Sequence, residues 1–201
     1  MHADHKKAQK MKKDIILCGV GGQGILSIAT VIGEAATTAG IHLKQAEVHG
    51  MSQRGGDVES DLRLSDEEIY SDLIPKGKAD LIISMEPMES LRYVQYLDAD
   101  GAVITSSKPL VNIPDYPEQA VLDREFAALP KVFMLDIEEV ALRSGNPRGA
   151  NMVLLGMAAR HIGILSSAQL REAIRVIFAP KGDTVVEANL KAFDLGYETV
   201  Q

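Results

Sequence analysis

Glycines lie close together near the start of the chain, in a pattern that suits the binding of a negatively charged group. Gly19, Gly21 and Gly24 follow the pattern G-x-G-x-x-G, and Gly22 and Gln23 lie inside the same loop. Without a Cβ, a glycine lets the backbone turn sharply or come close to another group. A helix that starts at such a loop offers free backbone N–H groups and the positive end of its dipole. The sequence therefore predicts a phosphate or carboxylate site at this loop.

A second loop, at residues 47–56, combines glycines with polar side chains. Its glycines permit tight bends, and Arg54 has a planar guanidinium that fits a carboxylate or a phosphate. Contact with a ligand or a subunit is one interpretation. The other is that Arg54 pairs with a surface acid such as Asp57 and that His49 only caps a strand. The candidate residues of this loop are Glu47, His49, Ser52, Gln53, Arg54, Gly55 and Gly56.

Strand-like and helix-like segments alternate along the chain, and their order predicts how these loops are positioned. Strands are predicted at residues 15–20, 41–48, 57–64, 68–71, 81–84, 101–106 and 132–136. Helices are predicted at residues 22–39, 87–97, 118–128, 137–144, 150–162, 166–178 and 183–197. Residues 57–64 alternate as an edge or antiparallel strand would, and residues 68–71 are interpreted as the returning strand of a hairpin.

This alternation predicts an α/β fold, namely a three-layer, Rossmann-like, mostly parallel sheet. Helices cover both faces, an antiparallel hairpin or edge strand is added, and helices close the chain. Both loops follow strands, so we expect them at the carboxyl ends of the strands, where such sheets bind ligands.

Dinucleotide binding is one interpretation of the first loop, because Glu47 ends the second strand where a ribose-binding acid is expected. Two observations weigh against it. Gln23 can hydrogen-bond a protein group and close the loop, and no acid–base constellation follows that could serve a hydride transfer. The competing interpretation is a glycine loop that only packs a helix onto the sheet or holds a partner chain.

Composition excludes several functional classes. The chain has 201 residues, and its length and 46% apolar content suit one domain at residues 13–201, behind a charged, flexible tail at residues 1–12. A net charge of −7 without a basic stripe argues against nucleic acid, and no apolar stretch is long enough to span a membrane. Cys18 is the only cysteine, which fits a cytoplasmic protein. It also excludes an iron–sulfur cluster held by this chain alone, and the histidines lack a cysteine pair for structural zinc.

The two loops together resemble the gamma domain of 2-oxoacid:ferredoxin oxidoreductases. The second loop is most similar to the indolepyruvate branch of that family, whose beta subunit is a small chain built around this domain. The resemblance extends from about residue 13 to residue 197, and it includes residues 80–92 and 151–156.

This resemblance implies oxidative decarboxylation of a 2-oxoacid by a multi-subunit complex, and the indolepyruvate branch implies indolepyruvate or another arylpyruvate as that oxoacid. Thiamine diphosphate and iron–sulfur clusters are then carried by the partner subunit, coenzyme A takes the acyl group, and ferredoxin takes the electrons. Because this chain has one cysteine and no Gly-Asp-Gly followed by Asn-Asn, we expect a non-redox subunit without catalytic residues or metal, inactive alone. Both loops are expected to face the partner near the approach of coenzyme A.

Two alternatives remain open at this point. The chain could be a stand-alone dinucleotide-binding Rossmann protein, or an assembly module without a ligand. Self-association of the isolated chain as a homo-oligomer, through the surface meant for its partner, is a further alternative.

Overall fold

A six-stranded mixed sheet forms the centre of the protein in the computed structural model, which describes residues 11–49 and 56–199. The strands are β1 (Lys12–Val20), β2 (His42–His49), β3 (Asp57–Ser65), β4 (Ala79–Ser84), β5 (Leu97–Ser106) and β6 (Val132–Leu135). Their order is β2-β3-β1-β4-β5-β6, and only β3 runs against its neighbours β1 and β2. The predicted mostly parallel sheet with an antiparallel strand is confirmed.

Helices cover both faces of the sheet, as predicted. They are α1 (Ile25–Thr38), α2 (Pro87–Arg92), α3 (Gln119–Ala127), α4 (Ile137–Ser144), α5 (Ala150–Ile162), α6 (Ser167–Phe178) and α7 (Asp183–Thr199). Successive side chains of β1 point to opposite faces. Ile15 and Leu17 therefore pack against α1 and α4–α7, whereas Ile16 and Cys18 pack against α2 and α3. A strand buried on both faces explains the continuous apolar run in the sequence.

Local sequence signals account for several helix ends. Ser166 and Gln169 form a capping box at the start of α6. Asp136 caps α4 by accepting a hydrogen bond from the Glu139 amide at 2.8 Å. Helices α4 and α5 begin and end at the predicted residues. None of the helices in the described part of the chain has the length and apolar character needed to cross a membrane.

The hairpin prediction for residues 68–71 is wrong. That segment forms no strand, and β3 pairs instead with β2, which precedes it, and with β1. Arg63 of β3 explains much of the difference, because its guanidinium donates to the carbonyl oxygens of Ser71 and Leu73, both at 3.0 Å. The segment is thus held by a side chain of β3 rather than by a backbone ladder.

The helix predicted at residues 87–97 is shorter than expected. It ends at Arg92, because Tyr93 leaves the helical conformation with φ −105° and ψ 2°. A short 3₁₀ turn follows at Val94–Tyr96, and β5 begins at Leu97.

Helices α5 and α7 cross at glycines. A Cβ on Gly156 of α5 would lie 2.0 Å from the carbonyl oxygen of Phe193, and a Cβ on Gly196 of α7 would lie 2.0 Å from that of Val153. Only glycine allows the two backbones to come this close. The crossing fixes α5, whose first turn faces the glycine loop between β1 and α1.

Candidate functional site

The turn between β1 and α1 is held closed by its own hydrogen bonds. The Gln23 amide donates to the carbonyl oxygen of Val20 at 3.1 Å, and the Val20 amide donates to the side-chain oxygen of Gln23 at 2.7 Å. The side-chain nitrogen of Gln23 then donates to the carbonyl oxygen of Met85, just after β4, at 3.3 Å. The expectation that Gln23 bonds protein groups and closes the loop is confirmed.

Gly24 is required for both space and backbone conformation. Its φ is +84°, in the left-handed region that favours glycine. A Cβ there would also come within 2.9 Å of the side-chain nitrogen of Asn151, on α5. At Gly19 the constraint is space alone, because a Cβ would lie 3.1 Å from that of Met85.

Several backbone amides at the start of α1 donate no hydrogen bond to a described residue. Gly24 is the N-cap residue and supplies no capping side chain, and the first turn contains no acid. The amides of Gly22, Gly24, Ile25 and Leu26 donate to no described residue. They border an open cavity of about 350 Å³ between this turn and Val58 of β3. Together with the positive end of the helix dipole, free amides of this kind favour a phosphate or carboxylate.

The second candidate loop starts and ends beside the first. The Gly21 amide donates to the carbonyl oxygen of Gly56 at 2.8 Å, and His49 at the end of β2 pairs with Val58 at the start of β3. Both ends therefore lie near the cavity at the carboxyl end of β1. The predicted residues Ser52, Gln53, Arg54 and Gly55 lie outside the described residues.

Glu47 is not brought to the glycine loop. It is exposed on β2, pairs with Ser60 of β3, and accepts a hydrogen bond from the Gln45 side chain at 2.6 Å. Because β3 separates β2 from β1, strand spacing places Glu47 about 10 Å from the line of β1. In a dinucleotide-binding sheet the strand that ends in the acid lies directly beside the first strand. The geometry therefore does not support Glu47 as a ribose-binding acid.

Asn151 contacts the loop, although the sequence did not single it out as a site residue. Its side-chain nitrogen donates to the carbonyl oxygen of Gly24 at 3.2 Å, across 127 positions of sequence. The available sequence signal is an Asn two residues after Gly149, in the first turn of a helix. That signal cannot name the group contacted, because the contact depends on how α5 packs against α1.

The buried acid Glu86 has a structural task. Its carboxylate accepts hydrogen bonds from the Glu89 amide at 2.8 Å, from the Leu110 amide at 3.3 Å and from the Tyr116 hydroxyl. These donors fix the start of α2 and the connection between β5 and α3. Glu86 is therefore the N-cap of α2, and it does not form an acid–base pair with Glu89.

The second acid, Glu89, is also buried. Burial raises the pKa of its carboxyl group, and the guanidinium of Arg92, 2.9 Å away, acts in the opposite direction. This ion pair keeps Glu89 within the packing of α2.

Cys18 does not fit a metal or cluster ligand. It is fully buried in β1, and burial raises the pKa of its thiol, which disfavours the thiolate form. Among the described residues, no three His, Cys, Asp or Glu side chains are grouped so as to hold a metal ion. The described residues therefore offer no ligand set for an iron–sulfur cluster.

Comparisons with known proteins identify the family. Residues 14–199 match the family described as pyruvate ferredoxin/flavodoxin oxidoreductase. The indolepyruvate oxidoreductase subunit IorB of Pyrococcus horikoshii is 39% identical over 199 residues, which cover 94% of this chain and 96% of that one.

Solved structures show the same fold. The gamma subunit of a keto/oxoacid ferredoxin oxidoreductase from Geobacter sulfurreducens has a TM-score of 0.68 and 24% identity, over 94% of this chain and 98% of that one. A 2-oxoglutarate:ferredoxin oxidoreductase from Magnetococcus marinus has a TM-score of 0.72 and 22% identity. That match covers 96% of this chain but only 31% of the other, so this chain spans about a third of its length. The chain belongs to the pyruvate ferredoxin/flavodoxin oxidoreductase family.

Proposed function

We propose that this protein is a non-redox subunit of a 2-oxoacid:ferredoxin oxidoreductase complex. The complex oxidatively decarboxylates a 2-oxoacid to an acyl-coenzyme A and passes the electrons to ferredoxin. The observation that carries this proposal is the match to the IorB subunit over nearly the full length of both chains. A relative that is itself a subunit, matched end to end, supports the same role here.

The division of labour follows from what this chain contains. One cysteine, enclosed in β1, cannot bind an iron–sulfur cluster, so the electron path belongs to another polypeptide. In the Magnetococcus enzyme this domain corresponds to 31% of one longer chain. We infer that a separate partner chain supplies the remaining parts here, with thiamine diphosphate for carbanion stabilisation and clusters for single-electron transfer.

The glycine loop would bind a phosphate group of coenzyme A where it enters the complex. The amides of Gly22, Gly24, Ile25 and Leu26, which donate to no described residue, border a cavity at the start of α1, and both ends of the loop that contains Arg54 lie beside it. A guanidinium and several amides are a common combination for phosphate. The partner subunit would close the other side of this cavity.

A stand-alone dinucleotide-binding protein is less well supported. In the sheet order, β3 separates Glu47 from the glycine loop. A dinucleotide site needs a ribose-binding acid on the strand next to β1.

The substrate is proposed to be an arylpyruvate such as indolepyruvate. The support is the 39% identity with an indolepyruvate oxidoreductase subunit. The oxoacid itself would be bound by the thiamine-bearing partner. A cytoplasmic location accords with the single cysteine and with ferredoxin as electron acceptor.

The assembly is tested by purifying the tagged chain together with co-expressed partner candidates encoded beside it. We expect a large, cysteine-rich chain to co-purify, and the complex to reduce ferredoxin when given indolepyruvate and coenzyme A. The isolated chain should be inactive. Turnover of an oxoacid by the isolated chain, or a nicotinamide held tightly by it, would overturn the proposal. Comparison of indolepyruvate with 2-oxoglutarate tests the substrate separately.

The coenzyme A role is tested with Arg54→Ala in the reconstituted complex. Loss of one charged hydrogen bond should raise the KM for coenzyme A about tenfold or more, with little change in the KM for the oxoacid. Arg143→Ala is the matched control, because Arg143 is 64% exposed on α4, a helix that packs mainly against α5 and α7. An unchanged KM in the Arg54 variant would remove coenzyme A from this loop and leave partner contact as its role.

A further inference from the structure

Asn151 makes two hydrogen bonds that fix the orientation of its side chain. Its Nδ2 donates to the carbonyl oxygen of Gly24 at 3.2 Å, and its Oδ1 accepts from the Met152 amide at 3.0 Å. The Met152 amide is shared with the carbonyl oxygen of Gly149, at 2.9 Å. The nitrogen of Asn151 faces Gly24 because the group there is a carbonyl oxygen, which can only accept. The contact is also close, since a Cβ on Gly24 would lie only 2.9 Å from that nitrogen.

The carbonyl that Asn151 holds sets the direction of an amide in the cavity. The peptide bond between Gly24 and Ile25 is planar and trans, so the Gly24 oxygen and the Ile25 N–H point in opposite directions. The same Gly24 oxygen accepts a hydrogen bond from the Ser27 amide of α1 at 3.1 Å, so Asn151 shares in holding it. When the oxygen is held toward α5, the N–H is aimed away from α5. The Ile25 amide donates to no described residue, and Ile25 borders the cavity.

The helix that carries Asn151 is itself firmly placed. Most of α5 is buried between the sheet and α7, and the glycine crossing at Gly156 and Gly196 leaves no room for it to shift toward α7. Gly24, by contrast, has no capping side chain of its own and a positive φ. The firmly packed α5 therefore restrains Gly24, a residue whose own backbone is flexible, through the Asn151 side chain.

We propose that Asn151 is a positioning residue for the phosphate-binding amides of the glycine loop. Together with the Ser27 amide, it holds the Gly24 carbonyl and so helps to aim the first amides of α1 into the cavity, without touching the ligand. This inference rests on the proposed function, because it assigns the cavity to a phosphate-bearing ligand.

The experiment compares Asn151→Leu with Asn189→Leu in the reconstituted complex. Asn189 is a fair control, because it is a buried Asn on α7 whose side chain also donates to a main-chain carbonyl, that of Val185, at 2.8 Å. Both variants should lose stability. Only Asn151→Leu should raise the KM for coenzyme A, by about five- to tenfold, while kcat and the KM for the oxoacid stay near wild type.

A second variant separates geometry from bulk. Asn151→Asp keeps the shape but cannot donate to the Gly24 carbonyl, and it places a negative charge beside the cavity. We expect its KM for coenzyme A to rise at least as far as that of the Leu variant. Equal KM values for coenzyme A in wild type, Asn151→Leu and Asn189→Leu would overturn the inference, as would equal increases in the two Leu variants.

Failure of the proposed function gives a different result. If Arg54→Ala leaves the KM for coenzyme A unchanged, the assignment of coenzyme A to this loop fails. The role of Asn151 is then tested by NMR on the isolated full-length chain, without the partner subunit. Amide resonances of Ile25 and Leu26 should shift in Asn151→Leu and not in Asn189→Leu, and added inorganic phosphate should perturb them less in Asn151→Leu. Resonances that match wild type in the Asn151 variant would overturn the positioning role itself.

Discussion

Val20 and Gln23 hydrogen-bond each other twice, from the Gln23 amide to the Val20 carbonyl at 3.1 Å and from the Val20 amide to the Gln23 side chain at 2.7 Å. This reciprocal pair closes the turn after β1 before any ligand or partner is bound. The protein itself therefore fixes the position of the amides of Gly24, Ile25 and Leu26, which donate to no described residue. A ligand that binds there pays a smaller entropy cost for ordering the loop.

Gln23→Leu should lower the free energy of unfolding by about 2 kcal/mol, because the partly buried Val20 amide loses its acceptor and the Met85 carbonyl loses its donor. Urea denaturation at neutral pH measures this change. Gln23→Glu keeps an oxygen for Val20 and loses only the donor, so its effect should be smaller. A Leu variant as stable as wild type would show that the turn does not depend on these bonds.

Alanine at the crossing of α5 and α7 should be strongly destabilising. In Gly156→Ala or Gly196→Ala the new Cβ would lie 2.0 Å from a carbonyl oxygen of the facing helix, so the backbones must separate. We expect a loss of about 3 kcal/mol or more, or failure to fold. Thermal and urea denaturation of each variant measure it.

Gly33→Ala is the matched control for that prediction. Gly33 also lies inside a helix, α1, but a Cβ there would meet only a terminal methyl group of Leu43 at 3.4 Å. The exchange should be neutral or stabilise by up to about 1 kcal/mol, because alanine favours the helix. If all three variants lost stability alike, the close crossing would not be the cause, since Gly33 has no such contact.

The sequence predicted those features that depend on neighbouring residues. Gly19, Gly21 and Gly24 placed a tight turn between a strand and a helix, and the structure has that turn. The bounds of α4 and α5 follow from their apolar spacing and flanking glycines. Gln23 was correctly expected to bond protein groups, because a polar side chain inside a closed turn has few other partners.

What the sequence missed depends on contacts between distant segments. The sequence predicts that β3 pairs with residues 68–71, which follow it after a short turn. In the structure β3 pairs instead with β2 over eight residues, across a longer loop. Segment 68–71 has one buried side chain, Ile69, which is too little to hold a strand. The bond from Asn151 to Gly24 joins α5 to α1, and no local pattern encodes that packing.

Removing Arg63 should cost about 3 kcal/mol of stability, because it leaves a buried carboxylate without its main partner. Arg63 binds both oxygens of Asp14, at 2.9 and 3.2 Å, and the Asp14 side chain is only 1% exposed. Lys12, which lies 2.6 Å from Asp14, compensates in part. Chemical denaturation of Arg63→Met measures the loss, and Arg63→Lys should recover part of it.

The double variant Asp14→Asn with Arg63→Met tests the cause of that loss. It should be more stable than Arg63→Met alone, because the uncompensated charge is gone. Arg143→Met, at the exposed pair with Glu139, should change stability by less than about 1 kcal/mol. Additive effects of the two substitutions at Asp14 and Arg63 would show that the buried pair contributes no coupling.

Asp61 should make the stability of the protein depend on pH. It is 8% exposed on β3, one carboxylate oxygen accepts from the Ile74 amide at 2.9 Å, and the other has no hydrogen-bond partner among the described residues. Burial raises the pKa of this carboxyl group above its ordinary value of 3.8, and the Ile74 amide and Arg63 only partly oppose that effect. Between the pKa of the unfolded chain and the raised pKa of the folded protein, Asp61 is therefore protonated in the folded state and ionised in the unfolded state.

The sign of the pH effect follows from that difference. The contribution of protonated Asp61 is complete below the unfolded pKa, and it is lost as pH rises from about 3.8 through the raised folded pKa. Asp61→Asn cannot titrate, so its free energy of unfolding should gain relative to wild type across this window and then stay level. Urea denaturation from pH 4 to pH 8 measures the difference between the two proteins. Parallel pH profiles would mean that Asp61 titrates alike in the folded and unfolded chains, and burial would then carry no cost at this position.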